Sequence, residues 1–221
     1  MSEIVIFGAS GFARETHQII RDINRQQQTW EFKGFLDDNT ALHGSRIHGF
    51  PVLGGGDWLT ANPGVPVVVA IGNPRAKRTV VERISRICGV PFATLVHPLA
   101  WLGDDVELGD GSIVCAGVRV TCDIRIGAHV ILNLDCTVGH DSVIEDYSTI
   151  APSANISGAV HLGRGVDIGT NATVIQGITI GSWSIVGAGA AVVRDVPPFV
   201  TAVGVPAVKV KDLPPLPSGM S

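Results

Sequence analysis

The pair His140 and Asp141 interrupts a stretch, LNLDCTVGHDSV at residues 132–143, otherwise built from aliphatic, small and turn residues. A neutral imidazole takes up and releases protons near neutral pH. A neighbouring carboxylate can orient such a ring or favour its charged form. A second candidate lies near the start of the chain. Gly8, Ser10 and Gly11, in GASGFA, follow the apolar run IVIF at 4–7 and precede a helical pattern from Ala13 to Asn24. A strand-to-helix turn of this kind lets backbone N–H groups approach a phosphate. The fit to GxGxxG is partial, because Ser10 replaces the second Gly and Ala13 stands at the third. Asp37, followed by Asp38, ends a second strand over residues 30–36, where a carboxylate can bind a ribose hydroxyl. The plain alternatives are an ordinary turn with solvated carboxylates and a solvated His-Asp turn.

The elements that must hold these residues differ in rhythm. Residues 1–95 alternate strands and helices, which implies a parallel α/β sheet of the Rossmann-like kind. Beyond the elements above, VPVVVAIGN at 65–73 reads as a strand ending in Gly72 and Asn73, a helix runs from Pro74 to Cys88, and FATLV at 92–96 reads as a last strand. Ninety residues are few for a full dinucleotide site, so a mononucleotide or nucleotide-sugar suits this part better.

From Val96 the chain repeats in sixes. All seventeen positions from Val96 to Val192 at that interval are Val, Leu or Ile, and the residue four places on is Ala, Ser, Cys, Val or Ile throughout. Gly follows directly in eight units, among them Gly103, Gly127, Gly163 and Gly181, where it is expected to relieve a turn. Six is not a multiple of 3.6, so an amphipathic helix is excluded. One bulky and one small inward position per six residues describe a short strand and a tight turn. Three units close a triangular coil, and residues 18 apart stack in adjacent coils. Each coil buries its apolar face only against its neighbours, which makes residues 96–196 a β-solenoid. Stacking by 18 sets Gly158 and Cys122 on either side of His140. Gly158 has no side chain, so its N–H is open to a ligand. A base beside a backbone donor suits acyl transfer. Residues 197–221 form a C-terminal segment, and the final PPLPSGMS is expected to be disordered.

Totals narrow the class. The chain has 221 residues, 45% of them hydrophobic and 5% aromatic, with 27 Gly and a net charge of -4. No basic field draws it to nucleic acid or anionic lipid. Cys88, Cys115, Cys122 and Cys136 form no CxxC pair, which suits reduced thiols. MSEIVIFGAS lacks the basic start and apolar core of a signal peptide, and VPVVVAI is too short to span a bilayer. The expectation is a cytoplasmic protein. His129 and His161 occupy outward repeat positions and are expected on the surface, as is His17 on the first helix, whose alternative is to face the nucleotide pocket or the active site. His97 is expected to shape the entry to the solenoid.

The repeat resembles the hexapeptide acyltransferases, whose fold is a left-handed parallel β-helix and whose members are typically trimers with active sites between subunits. GASG, FLDD, AIGN, the His97-Pro98 pair, GHD and the C-terminal GVPA together resemble the nucleotide-sugar acetyltransferases that modify an amino group on a deoxysugar, relatives of the sialic acid O-acetyltransferase group. The likeness runs from Ile4 to about Lys209 and is nearest to the GDP-perosamine N-acetyltransferases. The resemblance implies acetyl-CoA as cosubstrate, no metal, a homotrimer, and service to a bacterial surface polysaccharide such as a lipopolysaccharide O-antigen. It implies His140 and Asp141 as catalytic and Asn133 as a contact to the acceptor sugar. Gly8, Ser10, Gly11, Asp37, Asp38, Gly72 and Asn73 would hold the nucleotide-sugar. Gly158, Thr170, Gly187, Ala188, Lys209 and Lys211 would hold acetyl-CoA. Two positions depart from the family. Thr149 stands where a His is frequent, and Gly11-Phe12-Ala13 replaces a frequent GHG. Competing readings are O-acetylation of a hydroxyl, a non-catalytic nucleotide-sugar sensor, and a zinc hydratase sharing the helix. The last lacks the paired histidines such a site needs.

Overall fold

A computed structural model describes residues 1–87 and 89–216; Cys88 and the last five residues of the expected disordered tail lie outside the described residues. The N-terminal part is a five-stranded sheet flanked by helices. Strand β1 (Ser2–Phe7) leads into α1 (Gly11–Gln26), then β2 (Trp30–Leu36), β3 (Arg46–Ile47), β4 (Phe50–Gly54), α2 (Asp57–Ala61), β5 (Val67–Val69) and α3 (Pro74–Ile84). The order is β3-β4-β2-β1-β5, with β1, β2, β4 and β5 parallel and β3 antiparallel at the edge. Helix α1 buries Ala13, Thr16, His17, Ile19 and Ile20, a stripe with helical spacing. The helix expected to reach Cys88 ends at Ile84, and the strand expected over 92–96 is confined to Leu95–Val96. The β3–β4 hairpin and α2 are additions to the sequence reading. Their segments are short and punctuated by Gly49, Pro51, Gly54, Gly55 and Gly56, which masks any period.

From Leu95 the chain winds into a three-sided solenoid of two- and three-residue parallel strands. The register is 18 on every face: Ile131 pairs with Thr149, Thr137 with Asn155, and Val143 with His161. The first face runs from Leu95–Val96 to Ile185–Val186 and continues through Val200–Val203 to an antiparallel Val208–Asp212. The second starts at Trp101–Leu102 and the third at Val106–Leu108. Every sixth-residue aliphatic from Val114 to Val192 is buried, whereas Val96, Leu102 and Leu108 are partly open because no coil lies beneath the first. Burial of each such side chain contributes about 2 kcal/mol.

The small inward position carries its own polar logic. Ser112, Ser142 and Ser148 are fully buried, and each hydroxyl donates to a carbonyl in the next coil, on Gly127, Ser157 and Gly163. The same oxygens accept the N–H of Val130, Val160 and Val166. Both capacities of each hydroxyl are thereby used, as burial demands.

The expected role of the repeat glycines needs correction. Gly103, Gly127, Gly163 and Gly181 do not adopt positive φ; a Cβ there would meet the backbone or a side chain of the next coil within 2.2–2.7 Å. They permit close approach between coils. The left-handed conformation falls two residues later, at every sixth residue from Asp105 through Asp123, His129, Asp135, Asp141 and Tyr147 to Gly189. Short polar residues and Gly dominate this column, the types that tolerate αL most readily.

The α/β part packs on the first face and its corner with the third. Two of the histidines expected on the surface are buried, one of them at this interface. His129 is 6% exposed, its ring edge-on to Phe92 and stacked on Tyr147, while Trp183 continues the stack and carries Arg78 over its face. The αL corner that seemed outward is covered by the N-terminal part. His17 is 3% exposed among Phe32, Phe35 and Phe50. Burial lowers both rings from the usual 6.5 to about 4, so each packs as a neutral aromatic. His161 is exposed and bonds Glu145. His97 accepts the Leu99 N–H through Nδ1 and meets Asp22 of α1 through Nε2, which ties the solenoid entry to that helix.

Candidate functional site

His140 stands at the corner between the second and third faces. Gly139 lets the coil approach closely, since a Cβ there would lie 2.5 Å from the Gly158 nitrogen. Asp141 follows in the left-handed conformation, φ 59°. In a regular strand adjacent side chains point apart. The αL backbone instead folds the carboxylate back, and Asp141 Oδ2 lies 2.7 Å from His140 Nδ1. That bond places a proton on Nδ1 and leaves the Nε2 lone pair free. The ring lies over Gly158: a Cβ on that residue would be 2.6 Å from both Cε1 and Nε2. The Gly158 carbonyl is taken by Gly177, but its N–H donates to no protein group among the described residues. A lone pair and a free backbone donor therefore belong to residues packed on each other in adjacent coils. Below the ring, Cys122 accepts the Asp141 N–H through its carbonyl. Its thiol is held above the usual range, chiefly by a bond to Asp123, which makes it a poor nucleophile. Asp105, Glu107, Asp123, Arg125 and Asp141 line an adjoining open groove of about 320 Å³.

The second cluster lies at the carboxyl ends of β1, β2 and β5. The chain leaves β1 for β2 on one side and returns to β5 on the other, which makes this the topological switch point where open α/β sheets bind ligands. Gly8 has φ 118°, and a Cβ there would press on the Ala70 carbonyl at 3.0 Å. Ser10 is the N-cap of α1 and makes no side-chain cap bond, so the first-turn N–H groups beginning at Gly11 remain open. Asp37 accepts the Ala9 N–H through Oδ2 and the Asn39 N–H through Oδ1. It thus shapes the loop as well as facing it. Asp38 is paired to Arg83 at 2.7 Å on the exposed rim. Asn73 caps α3 by accepting the Ala76 N–H.

These clusters do not meet within one chain. The α/β part covers the first face, and His140 and Gly158 occupy the corner opposite. Asn133, Thr170, Gly187 and Ala188 sit at a third place, the corner between the first and second faces. Asn133 Oδ1 accepts the Leu134 N–H. Next to it a cavity of about 230 Å³ runs between α1 and the solenoid, lined by Gln18, Ile19, His97, Cys115 and Leu134 among others. Lys209 is paired to Asp212 at 2.6 Å and Lys211 lies on the same exposed strand, Val208–Asp212. No group of three His, Cys, Asp or Glu side chains suited to a metal ion occurs among the described residues. No described helix is long and apolar enough to cross a membrane.

One residue the sequence reading passed over is Lys77 of α3, 1% exposed and bonded to the solenoid at Thr149. Its spacing with Val80, Val81 and Ile84 puts it on the apolar face of the helix, which was the available signal.

A nucleotide-binding α/β fold joined to a hexapeptide solenoid, with a His-Asp pair beside a free backbone donor, defines a nucleotide-sugar acyltransferase. Comparison with known proteins agrees. Residues 3–84 match the PglD N-terminal domain. The chain is 34% identical to GDP-perosamine N-acetyltransferase of Escherichia coli over 179 residues, 78% of each protein. It is similar to a crystal structure of a histidine-to-asparagine variant of perosamine N-acetyltransferase from Caulobacter crescentus in complex with CoA and GDP-perosamine. That likeness has TM-score 0.85 and 31% identity over 96% of this chain and 98% of the other. The acetyltransferase domain of PglB from Neisseria gonorrhoeae aligns with TM-score 0.86 and 32% identity, over 95% of this chain and all of that domain. The chain belongs to the hexapeptide-repeat nucleotide-sugar N-acetyltransferase family, and its solenoid is a left-handed parallel β-helix.

Proposed function

We propose that the protein transfers the acetyl group of acetyl-CoA to the 4-amino group of a nucleotide-linked 4-amino-deoxysugar, with GDP-perosamine the favoured acceptor. The observation that carries this reading is the His140 Nδ1–Asp141 Oδ2 contact of 2.7 Å, with the ring over Gly158, whose N–H has no protein partner among the described residues. A sugar amine is largely an ammonium at neutral pH and must lose a proton before it attacks. The neutral amine adds to the thioester carbonyl. His140 Nε2 takes the proton released from nitrogen, and Asp141 stabilises the imidazolium through Nδ1–H. The Gly158 N–H donates to the oxyanion of the tetrahedral adduct. Collapse breaks the C–S bond, and the imidazolium returns its proton to the departing CoA sulfur. The amide and free CoA are the products, and no enzyme nucleophile is required.

The acceptor nucleotide sits at the switch point, with phosphates on the Gly8–Gly11 turn and the start of α1, flanked by Asp37, Asp38, Gly72 and Asn73. Asn133 contacts the sugar. Acetyl-CoA lies along the solenoid past Gly158, Thr170, Gly187 and Ala188 toward Lys209 and Lys211. Because these groups occupy different corners of one chain, the working site forms between neighbouring chains of a homotrimer. The role is cytoplasmic, in assembly of a surface polysaccharide.

The test is release of free CoA from acetyl-CoA with GDP-, UDP- and dTDP-linked 4-amino-6-deoxysugars, with mass analysis of the product. One added acetyl group on nitrogen with one sugar is expected, and His140→Asn should lower kcat by about 10²–10⁴-fold. Acetylation on oxygen, or tight binding without turnover, would overturn the reading.

A further inference from the structure

Lys77 is the one lysine among the largest fully buried side chains. It leaves α3 and crosses to the solenoid, where Nζ donates to Thr149 Oγ1 at 3.0 Å and the Ser148 carbonyl at 3.3 Å. The Thr149 hydroxyl then donates to the Gly72 carbonyl at 2.8 Å. The result is a three-member relay, Lys77 to Thr149 to Gly72. It starts one turn inside α3 and returns to the loop that precedes the same helix. Lys77 is 1% and Thr149 7% exposed, so water is no ready substitute for the bond between them. Thr149 opens the coil that carries Gly158, one coil on from His140.

The buried amine is not there to supply an ion pair. Burial pulls Lys77 down to about 7, only partly offset by the Asp167 charge, and burial raises Asp167 in turn. The other titratable group that faces it is His129, which packs as a neutral ring. A fixed charge here would cost more than it returns. A hydrogen-bonded amine that holds a hydroxyl in one orientation fits the surroundings better. Its beneficiary is the Gly72 carbonyl, and therefore the Gly72-Asn73 turn at the switch point.

We infer that Lys77 and Thr149 are positioning residues for nucleotide-sugar binding, clamping the Gly72-Asn73 loop to the solenoid coil next to the one that carries the His-Asp pair. The inference rests on the reading that this loop contacts the nucleotide-sugar. Neither residue touches the reacting atoms. The clamp acts on capture of the acceptor and leaves acetyl-CoA alone.

The experiment uses the full chain with Thr149→Val, which keeps the shape and removes the hydroxyl, Thr149→Ser, which restores it, and Lys77→Met. Steady-state kinetics would be run with GDP-perosamine and acetyl-CoA varied separately. The expected result is a KM for the nucleotide-sugar raised about 10-fold in Thr149→Val, with kcat and the KM for acetyl-CoA within about twofold of wild type. Thr149→Ser should return the acceptor KM to near wild type. Lys77→Met should repeat the Val pattern if it folds; Thr149→Val, the milder change, carries the test if it does not. Equal acceptor KM in Thr149→Val and wild type would overturn the inference, as would a uniform loss across both substrates that Ser fails to rescue. Absence of turnover in wild type with any acceptor would instead sink the underlying reading.

Discussion

Gly158→Ala tests the active corner with a single methyl group. Gly158 does not need positive φ, so the backbone accepts Ala. The methyl would lie 2.6 Å from His140 Cε1 and Nε2 and 3.0 Å from Cδ2. Ordinary contact begins near 3.4 Å, so the ring must move by about 0.8 Å. Its anchor, the 2.7 Å bond to Asp141, resists that shift and must stretch or break. Displacement of a reacting group by about 1 Å costs on the order of 10² in rate. We expect kcat to fall about 100-fold, close to 2.7 kcal/mol in the barrier. Stability should hardly move. The side chains of His140 and Asp141 are each 64% exposed, so the ring can swing into solvent for less than about 1 kcal/mol. The assay is CoA release at saturating substrates, paired with a thermal melt. A folded variant turning over within about threefold of wild type would refute the placement of the imidazole over Gly158.

Two further predictions concern the fold. Ser148→Ala should destabilise the chain by about 2 kcal/mol, because the Gly163 carbonyl and Val166 N–H both lose a buried partner, and urea titration would measure it. Stability should also fall on acidification through His17. Its folded value of about 4 is below the usual 6.5, so the folded state binds this proton less readily than the unfolded chain does. The contribution is complete above 6.5, is lost progressively down to about 4, and is flat below that. The loss amounts to roughly 3 kcal/mol, and His17→Phe should remove that part of the slope in urea titrations at several pH values. An unchanged slope would show that the ring does not titrate on unfolding.

Much of the molecule could be read in one dimension because its order is local. A period of six needs no partner to be recognised, and it dictated the coil, the 18-residue register and the contact between His140 and Gly158. The strand-turn-helix beginning at Ile4 and the carboxylates after Leu36 were legible for the same reason, since turn chemistry and apolar spacing act over a few residues. The turn residues were harder. Gly follows the aliphatic position so often that it looked like the turn itself, but it serves contact between coils, and the left-handed residue comes two places later under identities as different as Asp141, Tyr147 and Ala159. Only the folded backbone shows that this column lets Asp141 reach back to its neighbour.

What tertiary structure alone decided is where one element covers another. His129 stands at a position that the repeat marks as outward, and His17 reads as a helix-surface residue, yet both are buried because sheet strands or the whole α/β part lies over them. Lys77 reads as an ordinary helical lysine until Thr149, 72 residues later, is found beside its amine. The separation of the Gly8–Gly11 turn from the His140 corner is likewise invisible in the sequence, which places both in one chain. Burial and long-range pairing depend on which faces meet, and that is set by the sum of many weak apolar contacts across the fold rather than by any residue's neighbours along the chain.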